Sequence, residues 1–229
     1  MINLLKDQSL ESFLAIFIIN LVIFWILPFI IILTTGKIVS LNEQQLMRIS
    51  SSNITWFIGS FGTIFHELGH LLAAIIFGHK INKVSFLHLP KNGKVGSVIH
   101  SYNSKSKYQV FGNTIIGIAP ILSISLFLFL IYFSFENIQL PYKYLLIIIF
   151  ISLTFGLNLS PSDYQSAKAG LPYWIILIFI FSVILFTTKK AATVVPLLIN
   201  YFFIFSVLIL GIVILIFILL KLLTFILRK

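Results

Sequence analysis

The sequence predicts an all-α polytopic membrane protein with about six transmembrane helices and a short β-hairpin after the second. Three observations carry this expectation. First, 59% of the 229 residues are hydrophobic and 10% are charged, where a soluble domain is about half apolar and a quarter charged. Second, the apolar residues collect into six runs, most of them long enough to cross a bilayer. Third, the basic residues that give a net charge of +10 sit in the segments between those runs. A soluble fold of this length has no means of covering so much apolar surface, so composition excludes a secreted or cytosolic globular protein. Disorder is excluded on the same ground. The chain has no cysteine, which removes disulfides, thiolate metal sites and a cysteine nucleophile from consideration.

The first run, Phe13 to Leu33, has Asn20 as its one strongly polar side chain. As a helix it is about 31 Å long, enough to span the hydrocarbon layer. It is too long for the apolar part of a signal peptide, and it reads as a retained span. The second run is Ile54 to Phe77, the third Val110 to Phe135 and the fourth Tyr144 to Leu159. The fifth, Tyr173 to Phe186, is short, and Pro172 stands where a helix can start. The last, Val194 to Leu223, is long enough to tilt, and residues up to Leu227 can extend it.

Six spans place both termini on one side. That side then carries eleven Lys and Arg residues against five on the other, which orients both termini to the cytoplasm. The positive charge is read as topology and contact with lipid headgroups, with no nucleic-acid partner. Abundant Ile, Phe, Lys and Asn suggest a bacterial source, hence a cytoplasmic membrane location. Between the second and third runs, Ile81 to His100 alternates weakly, with Pro90 and an Asn92-Gly93 turn signal in its middle. That pattern predicts the hairpin, with Val95 to His100 as the returning strand.

Chemistry concentrates in His66-Glu67-Leu68-Gly69-His70, an H-E-x-x-H pattern inside the second span. Residues four apart lie about 40° apart around a helix, so both imidazoles can converge on one ion, with Glu67 about 60° from His70 on the same side. Ionisable groups at membrane depth are costly unless paired or metal-bound. Three of them in five residues call for a cation, and His/carboxylate ligands without cysteine favour one Zn2+ per chain. A third ligand is found by elimination. Asp7 and Glu11 precede the first span, and Glu43 and Glu136 fall on the outer side. Asp163, in Asn158-Leu159-Ser160-Pro161-Ser162-Asp163, follows a span running in the same direction as the histidine helix, so it reaches the same side of the membrane. His79 lies on nearly the opposite helix face from His66, and His88 and His100 belong to the hairpin and read as solvated. Gly59, Gly62, Gly69 and Ala73 form a stripe of small residues on the histidine helix, suited to close packing against another span of the chain or to a substrate groove.

With these residues the chain resembles the site-2 proteases, intramembrane zinc metalloproteases in which a membrane-embedded H-E-x-x-H is followed by an Asn-x-x-Pro segment leading into an Asp. The corresponding residues are His66, Glu67 and His70, then Asn158, Pro161 and Asp163. Gly117 to Pro120 is similar, more weakly, to a Gly-Pro segment of the same family. The resemblance covers roughly residues 54–170 and implies a single integral membrane domain, a minimal member without PDZ or CBS domains. It implies His66, His70 and Asp163 as zinc ligands and Glu67 as the catalytic base. Its substrate would be a transmembrane segment or membrane-bound peptide, cleaved near the cytoplasmic side. Asn158 is a candidate for binding substrate backbone, with a helix-end hydrogen bond as the alternative. The sequence departs from the family in lacking Gly after Asp163 and in the short spacing from Pro161. Two other functions fit the composition: a non-catalytic membrane protein that binds a partner, such as an immunity or escort factor, and an ion transporter using the His/Glu cluster.

Overall fold

The computed structural model describes residues 9–87 and 96–227. Residues 88–95, which include His88, Pro90 and Asn92-Gly93, lie outside the described residues, as do Asp7 and the two C-terminal residues. The chain is a succession of long helices interrupted by one small sheet. Helix α1 (Leu10–Leu21) passes through a π turn (Val22–Ile26) into α2 (Leu27–Ile49). Then come α3 (Ser52–Ile76), strands β1 (Lys80–Ser85) and β2 (Ser97–Ser101), α4 (Lys107–Ser134), α5 (Leu140–Thr154), α6 (Pro161–Thr187) and α7 (Ala191–Leu227). Short 3-10 turns close α4 at Phe135–Asn137 and α5 at Phe155–Leu157. Among the described residues, five helical stretches are long and apolar enough to cross a membrane, the first running from Leu10 to Ile49. The protein is a polytopic membrane protein with a short hairpin after the histidine helix, as the hydrophobic runs predict.

Its solvent is legible in what is buried. Ser12, Asn20, Asn42, Asn113, Thr114, Ser152 and Thr154 are each at most 1% exposed, while Phe129, Phe133, Ile180 and Leu208 are more than half exposed. That inverts the partition of a water-soluble domain and suits helices whose outer faces meet lipid while small polar side chains join them. The polar contacts run between helices. Ser123 on α4 donates to the Phe65 carbonyl of α3 at 3.0 Å, and Ser152 on α5 donates to the Ile58 carbonyl of the same helix. Thr114 on α4 donates to the Ala167 carbonyl of α6 at 2.9 Å.

The chain divides into two compact units, Met1–Thr34 with Leu171–Ile212, and Thr35–Gly170 with Val213–Lys229. In the first, Ile16, Ile23, Leu185, Ala191 and Val195 form a core. Asn20 donates to the Ser182 hydroxyl at 2.9 Å there. In the second, Ala73, Ala74, Ile116 and Ala119 pack α3 onto α4. The small-residue stripe on α3 serves packing within the chain at Gly62, where a Cβ would stand 2.6 Å from the Gly156 nitrogen and 2.6 Å from the Ser152 oxygen. At Gly59 nothing lies within 4 Å of such a Cβ.

Two helix boundaries differ from expectation. The apolar run predicts a fifth span from Tyr173 with Pro172 as its start, but α6 begins at Pro161 and Pro172 lies inside it. The start is set by Ser160, whose hydroxyl and backbone carbonyl both accept from the Asp163 N–H (3.3 and 3.1 Å). Its own N–H donates to Asp163 Oδ2 at 2.6 Å. This is a reciprocal capping box with proline at the first helical position, where its missing N–H costs nothing. The first helix also runs past Leu33 to Ile49, because the polar residues that follow include good helix formers and no proline.

The hairpin forms where the alternation predicts it. Its strands pair antiparallel, Lys80 with Ser101 through Ser85 with Ser97, with an irregularity between Ile81 and Lys83. Gly78, at φ +67°, ends α3, and its N–H and that of His79 cap the Ile75 and Ala74 carbonyls.

A side chain at Gly62 has to push α3 off the end of α5. Gly62→Val is therefore expected to destabilise the protein by about 1–3 kcal/mol, and Gly59→Val to be near neutral. Thermal unfolding of the two variants in the same detergent compares them directly.

Candidate metal centre

His66, Glu67 and His70 project from the middle of α3, and Asp163 sits in the first turn of α6. The three groups proposed as ligands meet. Asp163 Oδ1 lies 3.1 Å from His70 Nε2, and Asp163 Oδ2 lies 3.6 Å from His66 Nε2. The imidazole rings stand edge to face with centroids 5.0 Å apart. One donor atom from each of the three residues lies within 4.8 Å of the others, so the group can hold a metal ion. Two donors each about 2.1 Å from a tetrahedral zinc are about 3.4 Å apart, close to the two separations observed.

Both histidines present the correct nitrogen for that role. His66 Nδ1 is 2.9 Å from the Gly156 carbonyl, and His70 Nδ1 is 2.8 Å from the Ile116 carbonyl. A carbonyl oxygen can only accept, so each Nδ1 carries the proton and donates it. In the neutral ring that leaves Nε2 with a lone pair facing Asp163, the arrangement that orients metal-binding histidines in general.

The two carbonyls are available for separate reasons. Gly156 is in the 3-10 turn that ends α5, where the last carbonyls of a helix lack intrahelical donors. Ile116 is in the interior of α4, four residues before Pro120. Proline has no N–H, so the Ile116 oxygen loses its helical partner and takes the His70 proton instead. Asp163 is fixed by the Ser160 capping box, at a helix N-terminus where a negative charge is favoured. Each candidate ligand is thus held by a backbone group that a helix end or a proline has set free.

Glu67 is buried, 8% exposed, and lies under β2. Gly96 is so close that a Cβ there would meet Glu67 Cγ at 2.7 Å. His66, Glu67, His70 and Asp163 together open into a cleft of about 810 Å3. Its other walls include Gly96, β2 from Ser97 to His100, Asn113 on α4, and Ser160 and Ser162 at the start of α6.

Asn158 does not line this cleft. Its Nδ2 donates to the Ser40 hydroxyl on α2 at 3.1 Å, and its Oδ1 lies close against Gly36. His100 does line it and is not the freely solvated residue expected. Its Nδ1 is 3.0 Å from Nδ1 of His79, a buried ring whose Nε2 donates to the Gln109 carbonyl at 3.0 Å. Of the two facing Nδ1 atoms, one donates and the other accepts. Burial, then the neighbouring His79 and His70, hold His100 below the ordinary histidine range. This pair ties β2 to the end of α3, and Tyr102 stacks on His79 with centroids 5.3 Å apart.

The His79–His100 pair, the two carbonyl acceptors and the place of Asn113 do not follow from the sequence. Two signals were present: Ser160-Pro-Ser-Asp163 has capping-box spacing, and Pro120 points to a free carbonyl four residues earlier. Comparison of the chain with protein-family models, with curated proteins and with solved structures gives no match.

Replacing Pro120 by Ala returns an N–H to the Ile116 carbonyl and sets it in competition with His70. The expected outcome is a metal affinity lowered about 10–100-fold with helix content kept or increased. A chelator competition titration and circular dichroism read the two quantities.

Proposed function

We propose that the protein is an intramembrane zinc metallopeptidase that hydrolyses a transmembrane segment or membrane-bound peptide near the cytoplasmic side. The observation that carries this reading is the joint presence, at one cleft, of a two-histidine, one-aspartate group and a carboxylate beside it that the group does not use as a ligand. Structural zinc sites are closed by four protein ligands, whereas catalytic ones offer three and leave a position open. His66, His70 and Asp163 are three, and the cleft opens beside them.

His66 and His70 through Nε2, and Asp163 through its carboxylate, would hold the ion. Zinc bound there supplies Lewis acidity, which makes water nucleophilic near neutral pH and polarises a scissile carbonyl. Glu67 accepts the proton of the attacking water and passes it to the leaving amine. The Gly156 and Ile116 carbonyls keep both rings aimed throughout, so no side chain has to reorganise during the reaction. Hydrolysis of a helix requires local unwinding first, because a helical carbonyl is engaged in the backbone ladder. β2 supports a means of holding the unwound segment. Five consecutive residues from Gly96 to His100 line the cleft, and an extended peptide can add to such a strand as a neighbour.

The similarity in motif to site-2 proteases agrees with this assignment. The loop charges favour both termini in the cytoplasm, and the composition favours a bacterial cytoplasmic membrane.

The test combines metal analysis with variants of the purified, detergent-solubilised protein and a panel of single-span peptides in liposomes. Wild type is expected to carry one zinc per chain and to cleave members of the panel. Glu67→Gln is expected to retain zinc and lose activity by about 10²–10⁴-fold. Asp163→Ala is expected to lose the zinc. Full zinc occupancy in Asp163→Ala, or undiminished cleavage by Glu67→Gln, overturns the proposal. A partner-binding protein that keeps metal for structure would be insensitive to Glu67→Gln.

A further inference from the structure

Asn113 is the polar residue of the cleft that the metal group and Glu67 leave unexplained. It is 1% exposed, it lines the cleft, and its Nδ2 has no hydrogen-bond partner. Of the buried side-chain polar atoms left unpaired among the described residues, it is the one that belongs to a cleft-lining residue. Its surroundings on α4 are not generally unsatisfied, since Thr114 is bonded to the Ala167 carbonyl and Gln109 to the Gly78 carbonyl. A buried amide donor without a partner is destabilising, and native structures rarely keep one without a use. Asn113 precedes Ile116 by three residues, so it lies about 4.5 Å along the helix and about 60° around it from the residue whose carbonyl orients His70. Asn113 therefore stands on the same wall as the support of a candidate metal ligand.

We propose that the Asn113 side-chain amide is a substrate-binding group that donates from Nδ2 to the carbonyl oxygen of the peptide bond to be cleaved. This rests on the peptidase reading and deepens it. The chemistry that completes the donor is an acyl oxygen: a neutral carbonyl in the bound peptide, and a more negative oxygen as water adds. A donor fixed in a water-poor wall favours the second over the first, which is the condition for accelerating acyl transfer.

Two variants separate a substrate role from a structural one. Asn113→Asp keeps the shape and removes the donor, and Asn113→Leu removes the unsatisfied group altogether. Three quantities are measured in detergent: thermal unfolding of the metal-free protein, zinc stoichiometry, and binding of two probes to the zinc-loaded protein. The probes are acetohydroxamate, which needs only the metal, and a phosphinic peptide, whose tetrahedral anionic group also mimics the hydrated peptide bond. The expected result is an Asn113→Leu protein that unfolds at or above the wild-type temperature, keeps one zinc and binds acetohydroxamate as wild type does. Both variants should bind the phosphinic peptide about a hundredfold more weakly. Unchanged phosphinic-peptide binding in both variants overturns the role of Asn113 while leaving the peptidase reading intact. A lowered unfolding temperature in metal-free Asn113→Leu makes the amide structural and also overturns it. A wild-type protein that takes up no zinc overturns both readings together.

Discussion

The candidate metal centre depends on one constraint, the obligation of every backbone polar group in a lipid-embedded protein to find a partner inside the protein. At three points the helices fail to satisfy their own backbone. Pro120 removes the donor for Ile116, the end of α5 leaves Gly156 without one, and the start of α6 leaves the Ser160 N–H exposed. Each orphan is met by one member of the His66, His70 and Asp163 group. The exchange serves both sides. The backbone avoids an unpaired group in a medium that offers no water, and each side chain loses the freedom to turn its ligand atom elsewhere. A ligand set assembled this way is rigid without needing additional polar residues, which a chain with 10% charged side chains does not have to spare.

The same economy explains the packing around the site. Lipid gives helices no hydrophobic reason to associate, so close approach and a few buried hydrogen bonds must hold them. Gly62 lets α3 lie against the end of α5, which puts the Gly156 carbonyl within reach of His66 one turn further along. Ser123 and Ser152 then pin α3 from the two helices that supply its histidine partners. Contacts that look like generic membrane packing are therefore also what sets the histidine-to-carbonyl distances.

Much of this was legible in the sequence because hydrophobic runs and the i, i+4 histidine spacing are local signals. The six runs, the hairpin at Ile81 to His100 and the convergence of His66 and His70 follow from period alone. Asp163 was reachable by counting carboxylates, since so few exist to choose from. What stayed hidden required knowing which helices touch. Nothing in the sequence around Gly156 says that its carbonyl faces His66, 90 residues away. The pairing of His79 with His100 depends on the hairpin folding back over the end of α3. The start of α6 is hidden for a different reason: the apolar run begins near Tyr173, but the helix begins where Ser160 and Asp163 cap it. Hydropathy reports the lipid boundary, and capping reports the end of the helix.

The position of Asp163, two residues after Pro161, follows from the same constraint. A ligand that comes soon after Pro161 has little chain in which to turn, and in an irregular loop that would be a handicap. In a capping box it is not. Residues three apart across a helix start are brought together by the cap itself, with the carboxylate folded back toward the first N–H. Asp163 Oδ2 takes that N–H and faces His66, while Oδ1 is left to face His70. A glutamate at the same position could also form the box, but its extra methylene would carry the carboxylate past the point where both imidazoles now meet it. The short spacing and the choice of aspartate are then two parts of one solution, in which the helix start sets the position of the third candidate ligand.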